Sequence, residues 1–340
     1  PAIIAIPARV EVFTTKIYRE ALGSFPTNQN LAAAYGVGIL AIALVFVYVY
    51  RKFTSTTENF ATVTGKDFRP REIDLGAWKY LASAVAFVLL ILMMLLPFMV
   101  LFLVSVMPYF HVPNWQTWRT LTLDHFRAIL ESPRTYRAFA NSLFLSVVGA
   151  TICVLLAALV SYLTVRTKIA GRALLEGLVF VPWAFPGVAL ALGLLWAYVD
   201  FPIPIYATIW ILLIGYVTRF LPYGVRAVSS SVIQIHKELE EASTVSGAGF
   251  FSTFRRILVP LMRPGMLAGW IVLATIFIHE FSMSIFLYSP GSEPLGPLLY
   301  FYYLDAAYGR MAAVGLVISL LCTVLIAVAL RISRLKGGKI

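Results

Sequence analysis

"YLASAVAFVLLILMMLLPFMVLFLVSVM" (Tyr80–Met107) carries no charged side chain from end to end. An α-helix rises 1.5 Å per residue, so about 20 apolar residues cross the roughly 30 Å of bilayer hydrocarbon. This stretch is long enough to span. Six more share the pattern: Leu31–Tyr50, Ala138–Val165, Leu174–Val199, Tyr206–Val225, Gly265–Tyr288 and Met311–Leu330. Only 13% of the 340 residues are charged and 60% are hydrophobic, with a mean hydropathy of +0.85. A soluble domain has about 25% charged residues. The expected fold is all-α and polytopic, an integral membrane protein.

The net charge of +11 raises nucleic acid as a partner. The distribution of Lys and Arg argues for lipid instead. With the start of the chain outside, the segments 51–79, 166–173, 226–263 and 331–340 face the cytoplasm and hold eighteen basic residues; the outside segments hold eight. That asymmetry orients the C-terminus inward and leaves no excess for nucleic acid. Cys153 and Cys322 lie in apolar runs with no metal or disulfide spacing, and read as packing residues.

Two strings twenty residues long resemble each other. "IIAIPARVEVFTTKIYREAL" (Ile3–Leu22) precedes the first span, and "IFLYSPGSEPLGPLLYFYYL" (Ile285–Leu304) precedes the last. Each runs from an apolar tetrad through a Pro turn to an amphipathic element with Tyr. Each is followed by a span that opens on Ala-Ala and closes on basic residues. Residues 1–50, with one span at about 31–50, therefore read as the end of a preceding repeat. Pro1 in place of Met fits a piece of a longer chain. Residues 51–77 read as a polar cytoplasmic linker. Residues 78–340 form a six-span unit with a long inside loop at 226–263, and an even span count makes the repeats parallel.

That loop contains "IHKELEEASTVSGAGFFSTFRRILVP" (Ile235–Pro260). Ile235, Leu239 and Ala242 suggest one apolar stripe. Glu238, Glu240 and Glu241 suit the start of a helix, and Gly247 stands where a left-handed cap would end it. A second helical run, "FFSTFRRIL", is expected to stop against Pro260. Elsewhere, Pro182 and Pro186 should kink or break their span. His279-Glu280 sits deep in an apolar segment, where ionisable groups face a bundle interior or a water-filled path. Met283 replaces the second His of a zinc-protease H-E-x-x-H. Tyr300–Asp305 offers hard oxygen ligands for a ferric ion, but tyrosines beside a span are also the usual interfacial belt; no metal site is expected. Arg219 lies near the inner end of its span, reads as a snorkelling side chain and receives no role.

Glu241-Ala242-Ser243, then Gly247, Ile257 and Val259-Pro260, resembles the Glu-Ala-Ala…Gly…Ile-x-Leu-Pro signature of permease subunits of binding-protein-dependent ABC importers. Ser243 and Val259 depart from it by small volumes. The resemblance implies a coupling helix that docks on a cytoplasmic ATPase dimer, with Glu240, Glu241, Ala242, Ser243, Gly247, Ile257 and Pro260 at or near the contact. It implies a periplasmic solute-binding protein outside and a bacterial inner-membrane location. Glu280, His279, Pro182 and Pro186 become candidates for the translocation path or gate. "ATVTGKDFRPREIDLG", "TRFLPYGVRAV" and "HEFSMSIFLYSPG" look like the fused, double-length permeases assigned to ferric iron import; thiamine and polyamine permeases share much of the pattern. The chain itself is not expected to be an enzyme. No G-x-x-x-x-G-K-[ST] occurs, because Phe60 and Ser333 stand where the first glycine would be needed. ATP and Mg would be bound by the partner, and no cofactor is expected here. The rival is an ion-coupled carrier relaying protons through His279 and Glu280.

The charge asymmetry makes a direct prediction. In intact cells, with Cys153 and Cys322 replaced, a membrane-impermeant maleimide should label Arg127→Cys, whereas Lys168→Cys should react only after the membrane is opened.

Overall fold

The computed structural model describes residues 12–23, 25–54, 76, 78–236 and 238–337, and every regular element among them is helical. The described chain opens with α1 (Phe13–Tyr18), a π turn at Arg19–Gly23, and α2 (Gln29–Thr54). Then come α3 (Trp78–Val106), α4 (Asp124–Glu131), α5 (Pro133–Arg166), α6 (Arg172–Ala184), α7 (Gly187–Val199) and α8 (Ile209–Gln234). The chain closes with α9 (Glu238–Val245), α10 (Phe251–Ile278), α11 (Ser284–Leu287), α12 (Leu295–Leu304) and α13 (Tyr308–Gly337). Residues 1–11 and most of the linker lie outside the described residues.

Helices α3, α5, α8, α10 and α13 are each long and apolar enough to cross a membrane, and α6 with α7 forms a broken sixth span bent by 109°. The break falls at Phe185-Pro186, where Phe185 is extended and Pro186 precedes the first residue of α7. Pro182, by contrast, lies within α6. A proline's missing N–H and fixed φ make position 186 a natural start for a new helix and a poor continuation of the old one.

Three expected boundaries change. Helix α8 runs past Val225 to Gln234, because hydropathy marks the edge of the bilayer and not the end of a helix. The span expected at Gly265–Tyr288 is two pieces: α10 ends at Ile278, and the short α11 follows a turn. The run "FFSTFRRIL" does not stop at Pro260 but continues into α10. The reason is a π turn at Phe254–Leu258, in which the Val259 N–H donates to the Phe254 carbonyl. The wider turn carries the helix past a proline ring that would otherwise meet the preceding turn. The same device precedes Pro97 in α3, where the Leu96 N–H reaches the Ile91 carbonyl.

The core is built from α5, α8 and α10. Leu145, Cys153, Ile211, Leu212, Tyr216, Leu273 and Phe277 are fully buried there. Without a hydrophobic drive between helices in lipid, close approach depends on small residues. Gly265 and Gly269 of α10 supply it with G-x-x-x-G spacing. A Cβ on Gly265 would strike the Ser231 hydroxyl and lie 2.7 Å from the Ala227 carbonyl; one on Gly269 would lie 3.2 Å from Ala227 Cβ. Helix α3 stands outside this core, its side chains mostly exposed and its C-terminal part against α13. Helices α1 and α2 pack beside α7.

Gly265→Ala should therefore destabilise the protein by about 1–3 kcal/mol through overpacking. Gly193, with open space around its Cβ position, serves as the control. The thermal midpoint in detergent should fall for Gly265→Ala and hold for Gly193→Ala.

Candidate coupling and translocation site

Two constellations fall where the sequence singled out residues, one in the long loop between α8 and α10 and one among the apolar helices. In the loop, α9 is stopped by Gly247 at φ +78°. The Gly247 N–H donates to the Thr244 carbonyl and the Ala248 N–H to the Ser243 carbonyl, at 2.9 and 3.1 Å. This pair of bonds is the left-handed helix cap in which a Cβ would be strained. The chain then turns into α10. Ser243 and Thr253, both buried, share a 2.8 Å hydrogen bond across the two arms. Serine in place of the family's second alanine thus joins the halves of the hairpin.

The faces of α9 differ from the expected apolar stripe. Ile235 is buried but precedes the helix, whereas Leu239 and Ala242 are exposed. The inward face is Glu240 and Ser243, because polar partners wait there: Arg166 for the first and Thr253 for the second. Glu241 and Val245 point to solvent, with Val245 89% exposed. Ile257 and Pro260 are half-buried in α10. Of the seven candidates, Glu241, Ala242 and Gly247 are therefore the exposed ones.

Within the membrane, Glu280 is 6% exposed and follows the end of α10. Its carboxylate accepts from the Met283 and Ser284 N–H groups and from the Ser284 hydroxyl, at 2.9–3.1 Å. It therefore caps α11, which explains why the longer span does not form. Ser284 also meets the buried Tyr216 hydroxyl. Arg219 of α8 lies 3.6 Å from the same carboxylate. This corrects the reading of Arg219 as a roleless snorkelling side chain. Its guanidinium also rests where a Cβ on Gly187 would be, at the first residue of α7. Pro186, Gly187, Arg219 and Glu280 thus meet at two helix breaks, while Pro182 sits a turn away in α6. His279 is exposed and does not share the site with Glu280. The signal for Arg219 was present: one lone cation in one span and one lone carboxylate in another invite pairing.

The Tyr300–Asp305 stretch serves packing. Tyr302 hydrogen-bonds Thr135 at 2.8 Å, and Tyr300 meets Tyr18 edge to face at 6.4 Å between ring centres. Burial raises the Tyr300 hydroxyl above its ordinary pKa, which opposes the phenolate a ferric ligand requires. Among the described residues, no group of three His, Cys, Asp or Glu side chains could hold a metal.

Residues 154–336 match the family model for the binding-protein-dependent transport system inner membrane component, and the match covers more than half of the chain. The chain belongs to this family. It is a multi-pass membrane protein of the ABC importer permease type. The ferric transport system permease protein FbpB of Actinobacillus pleuropneumoniae is 26% identical over 94% of this chain and 46% of its own length. The spermidine/putrescine permease PotC of Escherichia coli K12 is 27% identical over 54% of this chain and 69% of its own length. The trehalose permease SugB of Mycobacterium tuberculosis is 28% identical over 58% of this chain and 72% of its own. The chain spans about half the length of its FbpB relative. A crystal structure of a bacterial alginate importer shares the fold, with a TM-score of 0.60, 17% identity, and coverage of 75% of this chain and 94% of that one.

The membrane site predicts coupling between Gly187 and Arg219. Gly187→Ala should lower the thermal midpoint by the equivalent of about 1–3 kcal/mol, and Arg219→Gln, which strands the Glu280 carboxylate, by about 3–5 kcal/mol. The double variant should fall short of the sum by at least about 1 kcal/mol, because both changes disturb one contact.

Proposed function

We propose that the chain is part of the membrane permease of an ATP-driven importer, with ferric iron as its solute. A periplasmic binding protein delivers the solute to the outer mouth. A cytoplasmic ATPase dimer, carrying ATP and Mg, docks on the hairpin formed by α9 and the start of α10. The C-terminus lies in the cytoplasm. Each nucleotide state of the ATPase needs to prefer one conformation of the bundle by only a few kcal/mol. Transport then follows by alternating access.

The observation that carries this reading is the capped hairpin in a chain of this family. Glu241, Ala242 and Gly247 are presented outward, and a short helix whose C-terminal end is held by its glycine cap and by the Ser243–Thr253 bond is a surface that can transmit force. Iron is favoured over polyamine or trehalose by the reach of the alignment. The FbpB match extends over nearly the whole chain, whereas the PotC and SugB matches cover little more than half.

The two-repeat organisation finds support in one contact. Laid side by side, the strings Ile3–Leu22 and Ile285–Leu304 put Tyr18 opposite Tyr300. These two tyrosines touch, with their hydroxyls 3.5 Å apart. A residue that meets its own equivalent lies on a two-fold axis, as parallel repeats about the membrane normal require.

The test is co-purification of the full-length polypeptide from native membranes, as wild type, Glu241→Lys and Gly247→Asp. An ATPase subunit should travel with the wild type and hydrolyse ATP. Each variant should lose that subunit or at least tenfold in turnover. No ATPase with the wild type would overturn the reading.

A further inference from the structure

Arg166, the last residue of α5, is 6% exposed in its side chain at the cytoplasmic end of the bundle. Its Nη2 donates to the Val232 carbonyl at 2.9 Å and also to the Ile235 carbonyl. Those are carbonyls at the end of α8, where a positive charge is favoured by the helix dipole. Its Nε lies 3.5 Å from Glu240 Oε1 in α9. That contact is an ion pair and not a hydrogen bond, since neither atom has a hydrogen-bond partner. One turn earlier in α5, Tyr162 meets Phe254 of the second hairpin arm edge to face, at 5.5 Å.

The end of α5 therefore touches three things at once: the end of α8, α9, and the π turn that starts α10. Neither Arg166 nor Tyr162 belongs to the motif that places the hairpin in its family. Glu240 sits beside Glu241 in sequence but turns the other way, 22% exposed against a protein partner.

We propose that Arg166 is a positioning residue for coupling. It grips Glu240 while capping α8, so that displacement of α9 moves α5 and α8 together. Glu240 is thereby assigned to the bundle, and Glu241 to the ATPase. The cross-link Ser243–Thr253 carries the same displacement into α10. Loss of the Glu240 charge leaves Arg166 bonded to α8 alone. The hairpin keeps its cap, its cross-link and its outer face, yet slips against the bundle. Binding of the ATPase and movement of the bundle become separable.

This inference rests on the proposed function, and its test separates the two. The complex that co-purifies with the full-length polypeptide is prepared with Cys153 and Cys322 replaced. Spin labels are placed at Tyr136 and Ile203, exposed positions toward the outer end. The label-to-label distance is measured without nucleotide and after trapping with Mg-ATP and vanadate. In the parent complex the distance should change. Glu240→Gln should retain the ATPase subunit and turnover within about twofold, but lose at least half of the distance change. Glu240→Asp should restore most of it.

Arg166→Lys, which keeps the charge without the planar fork, should fall between the parent and Glu240→Gln. A full distance change in Glu240→Gln would overturn the proposal, and so would loss of the ATPase from that variant. Turnover and movement falling together in both Glu240→Gln and Arg166→Lys would reduce the pair to a structural role and overturn it as well. A parent complex without ATPase fails earlier and counts against the proposed function itself.

Discussion

A helix that breaks inside hydrocarbon exposes backbone groups that no water can reach, and each unmet group costs several kcal/mol. Among the described residues there are two such breaks, between α6 and α7 and between α10 and α11. The second is resolved by Glu280, whose carboxylate takes the first N–H groups of α11. That solution creates a new problem, a buried negative charge. Arg219 answers it from α8, and Gly187 makes room for the guanidinium at the first break. Each feature is required by the one before. A buried pair of this kind contributes little net stability, but removing one partner strands the other and costs about 3–5 kcal/mol. The pair therefore specifies where the breaks lie more than it strengthens the bundle.

The sequence made the membrane fold legible because composition and run length report directly on the solvent. Even the break at Pro186 could be read, since a proline without an N–H has few places to go. The end of α10 could not, because it depends on what a carboxylate caps, and capping partners are chosen by the fold. "HEFSM" reads as the middle of a span until Glu280 is seen to hold Met283 and Ser284. Pro260 misled in the opposite direction: a π turn upstream absorbs it. At the candidate coupling site, Gly247 was legible because its cap is local. The inward turn of Glu240 was not, since it depends on Arg166, seventy-four residues earlier in the chain.

Ser243 illustrates how a small departure from a family pattern acquires a structural consequence. Alanine at that position would bury a methyl group and leave the Thr253 hydroxyl its bond to the Gly249 carbonyl. Serine adds a bond between the arms at the cost of one more buried polar atom. Such exchanges are near neutral in stability when both partners are satisfied. What changes is the stiffness of the hairpin, because a bond between the arms removes a sliding freedom that packing alone would leave.

The ion pairs also sort by side. Among the described residues, three Arg–Glu pairs join distant parts of the chain: Arg166–Glu240 at the inner end, Arg219–Glu280 at the breaks, and Arg134–Glu293 in the segment read as outside. All three cations belong to α5 or α8, and all three carboxylates to the stretch from α9 to the loop before α12. The pair at Arg134 is two-pronged, at 2.7 and 2.8 Å, and fixes geometry even though its arginine is half exposed. Close to the inner pair, Gly265 and Gly269 press α10 against the last turns of α8 too closely for the backbones to part without loss of contact. A bundle pinned this closely at one end, and tied by charge there, at the breaks and at the far end, resists sliding of α10 along α8.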